Sequence, residues 1–148
     1  MAMRRPVGIL GALCPDRAPL LGLVSVMGPA MAMGNRSVLV ASEPFPLAAT
    51  DFVQVLETSD VPAGVVNVLT GRHAELAPHL AAHLEVDAVW SFSSTDLSAE
   101  IERAAAGNLK RTWVSYGRAR DWTAPEAEGR AFLEAATEVK TVWIPWGE

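Results

Sequence analysis

The 148 residues make a chain of single-domain length, able to bury roughly 68–70% of its unfolded surface without a metal or disulfide staple. Half the residues are hydrophobic and only 20% are charged, which excludes a disordered chain. Twelve Lys+Arg stand against 17 Asp+Glu, net −5, and no run of basic residues offsets that balance, so a nucleic-acid partner is not expected.

Near the N-terminus, Arg4-Arg5 ahead of an apolar stretch loosely imitates a secretory signal, but Gly8 and Gly11 interrupt it. Val7–Cys14, closed by Pro15, reads as a buried strand. Its Cys14 is the only cysteine, so no internal disulfide is possible and a reducing cytoplasm is the expected compartment. The uncharged stretch from Ala18 to Asn35 reaches the lower limit for a membrane span. Pro19, Pro29 and three glycines turn that reading toward a buried core helix over Pro19–Met33, in a soluble protein with no membrane partner.

Ser37–Ala41 is the next strand, followed by a helix near Leu47–Glu57 and a turn at Asp60–Gly64. Val65–Leu69 is a third strand. Ala74–Leu84 is helical in composition, with Pro78 marking a kink or the true start. His73, His79 and His83 crowd this segment. No glutamate follows His79 as a zinc-protease helix requires, so all three read as solvent-exposed helical residues and no metal site is expected. Asp87–Phe92 is a strand, Ser94-Thr95-Asp96 caps a helix ending at Gly107-Asn108, and Leu109–Tyr116 is a fifth strand.

Strands alternating with helices predict a Rossmann-like α/β fold: a mainly parallel sheet of about five strands with helices on both faces, over residues 1–117. Residues 118–148 are expected to add an amphipathic helix over Pro125–Glu138 and a strand over Val139–Pro145, apolar on both faces. All five tryptophans, Trp90, Trp113, Trp122, Trp143 and Trp146, fall in the last two-fifths of the chain, as core packing or as an aromatic interface. Met1 and Trp146-Gly147-Glu148 read as natural ends. Neither a Gly-x-Gly-x-x-Gly turn nor a Walker loop is present, and the residues alone leave the ligand open.

Several stretches together are more specific. Pro6-Val7-Gly8-Ile9-Leu10-Gly11, Cys14-Pro15 and Pro19-Leu20-Leu21 resemble the first Rossmann strand of aldehyde dehydrogenases. Gly28-Pro29-Ala30-Met31-Ala32-Met33-Gly34-Asn35 is similar to that family's "APALAAGN" turn. Pro62–Gly71 resembles its "PPGVVNVVTG" segment, and Gly107–Arg111 the residues before its "LELGGK" motif. The order and spacing agree over about 110 residues, which implies the nucleotide-binding half of that family.

The departures bear on chemistry. Where the resemblance implies an oxyanion-hole Asn, in "PWNFP", the chain has Arg17 within Pro15-Asp16-Arg17-Ala18-Pro19. Of the "KPAE" residues that hold the adenosine ribose, Val40 replaces the lysine and Glu43 remains. The "FTGS" turn becomes Ser91-Phe92-Ser93-Ser94, keeping Ser94 but placing a Cβ at Ser93, where a phosphate would approach. Ser115 stands at the general-base Glu, and serine cannot take a proton near neutral pH as a positioned carboxylate does. Cys14 does not align with the nucleophile and reads as a small buried residue.

Ala136–Val142 resembles the "YTEVKTV" end of full-length aldehyde dehydrogenases, where the strand docks on a neighbouring subunit. The arrangement resembles the carboxy-terminal, catalytically degenerate module of two-module aldehyde dehydrogenases. Three expectations follow. The first is an inactive module that oligomerises, or docks on an aldehyde dehydrogenase subunit, through Val139, Thr141, Val142, Trp143 and Ile144. The second is an NAD(H)-binding regulatory module using Pro15, Glu43 and Ser94. The third is part of an NAD-dependent aldehyde dehydrogenase whose active site another chain completes. The first requires no cofactor.

Overall fold

The computed structural model describes residues 1–145; Trp146, Gly147 and Glu148, the proposed natural end, lie outside the described residues. A strand that the sequence reading did not foresee comes first, β1 (Ala2–Pro6), and stands apart from the main sheet. That sheet contains β2 (Ile9–Leu13), β3 (Arg36–Val40), β4 (Val66–Leu69), β5 (Ala88–Ser91) and β6 (Arg111–Val114). All are parallel, in the order β4-β3-β2-β5-β6. The order reverses between β2 and β5, the switch point at which α/β sheets open a crevice.

Alternation along β2 decides which side each residue serves. Leu10, Ala12 and Cys14 join the core beneath α1 (Pro19–Ala32) and α2 (Leu47–Glu57). Leu13 turns to the opposite face, beneath α3 (His73–Ala82) and α4 (Ser98–Ala105). Gly11 is needed on that second face: a Cβ there would sit 2.7 Å from Leu80 Cγ. α1 is apolar nearly throughout because it is sandwiched, and no helix among the described residues is long and apolar enough to cross a membrane. It ends at Gly34, in the left-handed region at φ +84°, with the Gly34 and Asn35 N–H groups bonding back to Met31 and Ala30.

α3 begins at His73 and runs through Pro78. The expected long helix over Pro125–Glu138 is replaced by a single 3₁₀ turn, Pro125–Ala127, and a short α5 (Arg130–Ala135), with Gly129 extended between them. The terminal strand, β7 (Thr137–Thr141), therefore starts two residues earlier than expected and stops before Val142. One of its edges is occupied, since β7 runs antiparallel to β1 with Arg4 opposite Val139.

The tail is packed onto the sheet by Phe132, which is fully buried. It meets Trp90, Phe92, Trp113 and Trp122 in an aromatic cluster with ring centroids 4.9–6.3 Å apart. Three of the five tryptophans thus serve packing, while Trp143 is 90% exposed and Trp146 is outside the described residues.

Candidate functional site

Three loops leave the carboxyl ends of β2, β5 and β6 and enclose a cavity of about 220 Å³ at the switch point. Pro15 and Arg17 come from the first loop, Ser93 and Ser94 from the second, Arg118 and Arg120 from the third. Pro15 and Ser94, predicted from sequence as cofactor contacts, are thus brought together. Ser115 lines an adjoining cavity with Trp113, Tyr116, Arg118 and Arg120.

The first loop is fixed by Asp16. Its carboxylate accepts the Ser42 hydroxyl at 3.0 Å and the Glu43 N–H at 3.1 Å, tying the loop after β2 to the one after β3. Two non-glycine residues beside the cleft are held in the left-handed region, Ala18 at φ 51° and Tyr116 at φ 49°. The Tyr116 N–H donates to Ser98 Oγ and its hydroxyl to Glu102, at 3.0 and 2.6 Å. The bond to Glu102 raises the phenol's pKa above its ordinary value.

Glu43 does not reach this cleft. Its carboxylate accepts the His73 N–H at the start of α3. His73 itself corrects the expectation of three exposed histidines: it is fully buried, whereas His79 and His83 are exposed. Its Nε2 donates to the Ala41 carbonyl at 2.8 Å, and the Ser93 hydroxyl meets Nδ1 at 2.8 Å. Ser93, the residue in the glycine's place, therefore directs its hydroxyl into the interior. Val40 faces α3 and lines a separate apolar cavity of about 360 Å³ with Ile9, Leu76 and Leu80. No ribose-holding pair is formed by Val40 and Glu43.

Cys14 is completely buried at the end of β2, and burial pushes its thiol up from 9.0 to about 12. A thiol in that environment is not a nucleophile near neutral pH. Among the described residues no group of histidine, cysteine and carboxylate side chains is placed to hold a metal ion.

The residues that sequence reading missed are Arg118 and Arg120. Gly117–Pro125 reads as a polar turn in sequence, yet it places the Arg120 guanidinium 5.0–5.8 Å from the ring centres of Phe92, Trp113, Trp122 and Phe132. Burial lowers the pKa of that guanidinium from its ordinary value. The only available signal was two arginines spaced two apart just beyond a strand.

A parallel sheet with a crevice at its switch point defines a domain of Rossmann type. The chain matches the aldehyde dehydrogenase family over residues 1–121 and belongs to it. It is 36% identical over 118 residues to the NADP/NAD-dependent aldehyde dehydrogenase PuuC of Escherichia coli, covering 79% of this chain and 24% of that protein. An aldehyde dehydrogenase of Alternaria alternata aligns at 33% identity over 145 residues, 97% of this chain and 28% of the relative. The apo structure of an indole-3-acetaldehyde dehydrogenase superposes with a TM-score of 0.73 at 37% identity, over 78% of this chain and 27% of its own. Aldehyde dehydrogenase C of Pseudomonas syringae, solved with NAD⁺ and octanal, gives 0.73 at 32% identity, over 76% and 23%. The chain spans about a quarter of the length of these relatives.

Proposed function

We propose that this chain is a catalytically inactive aldehyde-dehydrogenase-like module that docks subunits through its terminal strand, pairing β7 with β7 of a second copy. The observation that carries this reading is the outer edge of β7. Met1 and Val142 exchange both backbone hydrogen bonds, at 2.9 and 2.8 Å. Alternation then turns the backbone groups of Lys140 and Glu138 toward β1 and those of Val139 and Thr141 outward. An outward row of N–H and C=O groups is a template for another strand.

The sequence Glu138-Val139-Lys140 complements itself. In an antiparallel pair centred on Val139, Glu138, which also pairs with Arg5 of its own chain, faces Lys140 of the second copy. Thr137 is buried with its carbonyl held by Arg111 and lies outside the pairing. Opposite charges at such positions contribute about 0.2–1 kcal/mol. Val139, 61% exposed, lies at the centre of such a pair, while Trp143 and Ile144, 90% and 68% exposed, lie beyond the strand. A two-stranded ribbon is marginal alone in water, so a third and fourth strand would stabilise it.

Inactivity is supported by the buried Cys14 as sole thiol, by Ser115 in the base's place and by Arg17 in the oxyanion donor's. The purified chain, given aldehyde and NAD⁺, is expected to form no NADH; aldehyde-dependent NADH formation would contradict that half of the reading. For the docking half, Val139→Pro removes an outward N–H without touching the ladder to β1. It is expected to halve the mass seen by gel filtration while leaving the melting transition cooperative. A dimer that survives the substitution would contradict it.

A second reading, NAD(H) binding, draws support from Pro15 and Ser94 lining the switch-point cleft and from the relative solved with NAD⁺. Glu43 fits that reading poorly, because its carboxylate is already engaged at α3. Titration with NAD⁺ and NADH, followed by tryptophan fluorescence, decides it: saturation in the micromolar range supports binding, and none up to millimolar contradicts it.

A further inference from the structure

Three arginines in a chain of net charge −5 converge on one cleft: Arg17 from the loop after β2, and Arg118 and Arg120 from the segment after β6. The ion pairs among the described residues are Arg5–Glu138, Arg72–Glu75 and Arg130–Glu134, none of which involves them. Arg120 gives one N–H to the Glu126 carbonyl at 3.2 Å and is held by the four surrounding aromatic rings, so its orientation is set before any ligand arrives. Arg17, Ala119 and Arg120 continue into a neighbouring cavity with Asp121 and Trp122, so the guanidinium groups line one connected depression.

We infer that this cleft binds a small oxyanion, a carboxylate or a phosphate, between the guanidinium groups of Arg17, Arg118 and Arg120, with the body of the ligand against Phe92 and Trp122. Guanidinium forks match both head groups with paired N–H donors. The cavity of about 220 Å³ accommodates the head group and the atoms next to it. Two carboxylates stand nearby, and both have other partners. Asp96 approaches Gly117 but accepts from Ser98, which holds its carboxyl below the usual range. Asp121 accepts from Thr123, which lowers its pKa, with Arg17 adding a smaller effect. Arg120, partly buried against the aromatic rings, is placed to gain from an anion at this point.

The site is independent of the docking reading and shares its cleft with the NAD(H) reading, from which binding of benzoate, which carries no nucleotide, distinguishes it. The cleft lies at the carboxyl ends of the strands, whereas the ribbon is attached at the opposite end, where Val7 donates to the Ala136 carbonyl and Arg111 to that of Thr137.

The test titrates the full chain with benzoate and, separately, with inorganic phosphate at constant ionic strength. Tryptophan fluorescence and calorimetry follow it, since Trp113 and Trp122 lie beside Arg120. Saturable binding of at least one is expected, and the tighter of the two identifies the head group. Arg17→Gln and Arg118→Gln alter exposed side chains and are expected to keep the wild-type melting transition. Each should weaken binding about tenfold or more, the loss typical of a charged hydrogen bond. No saturation by either anion, or affinity unchanged in both variants, would overturn the inference.

Discussion

Asn35 Nδ2 donates to the Ala136 carbonyl at 2.9 Å, joining residues 101 apart in sequence. The same amide donates to Ala30 at 3.0 Å, and its oxygen accepts the Gly8 N–H at 2.9 Å. One buried side chain therefore fixes the end of α1, the link between β1 and β2, and the residue from which β7 departs. The ribbon is tied to the sheet by this contact, as the docking proposed for it requires.

Asn35→Ala leaves the Gly8 N–H without its partner and weakens the hold on Ala136. A loss of about 1–3 kcal/mol is expected for a buried group so exposed. Urea denaturation measures it, and amide exchange should show the β1–β7 pairs losing protection before the main sheet does.

The bond between Ser93 and His73 gives a second prediction. Ser93→Ala, and equally Ser93→Gly, strands Nδ1 of a fully buried imidazole. Each is expected to cost about 1–3 kcal/mol in urea denaturation, even though the second restores the glycine that the resemblance implies. A neutral or stabilising result would mean that a water takes the hydroxyl's place.

Pro15 and the cleft depend on Gly22. A Cβ at that position would meet Pro15 Cγ at 2.1 Å, inside any allowed contact. Gly22→Ala therefore forces the Pro15 loop outward, costing about 1–3 kcal/mol as overpacking does. The same variant should shift the fluorescence of Trp122, which lies near that Cβ, and this separates loop displacement from simple destabilisation.

Cys14 provides a pH dependence with a definite sign. Its thiol is pushed from 9.0 to about 12 by burial, so above pH 9 the unfolded chain gives up a proton that the folded chain keeps. Its contribution to stability is whole below pH 9 and declines as pH rises toward 12. Cys14→Ala should flatten that decline. Iodoacetamide should label the wild type only after denaturation.

Most of the sheet was legible because its signals are local. The strands now seen as β2 to β5 are short, largely apolar runs bounded by turn residues, and Leu47–Glu57 has the helix bounds expected of it. The nonlocal features were not legible. Every residue of β1 is exposed and its partner strand lies at the other end of the chain, so no periodicity marks Ala2–Pro6 as a strand. His73 is buried by Ser93 and Ala41, residues 20 and 32 positions away. Arg17 meets Arg118 and Arg120 only because the strand order reverses between β2 and β5. The sequence therefore contains no basic run where the fold makes a basic cleft. At the tail, Gly129 sits extended at the N-cap of α5 and divides what composition alone read as one helix.

The proposed docking role requires β7 to meet its own copy. Light scattering of the full chain over a range of concentrations tests this most directly. The predicted result is a mass approaching twice the 15.8 kDa of one chain as concentration rises, reverting to a single chain in Val139→Pro. A mass that stays at 15.8 kDa at every concentration would contradict it.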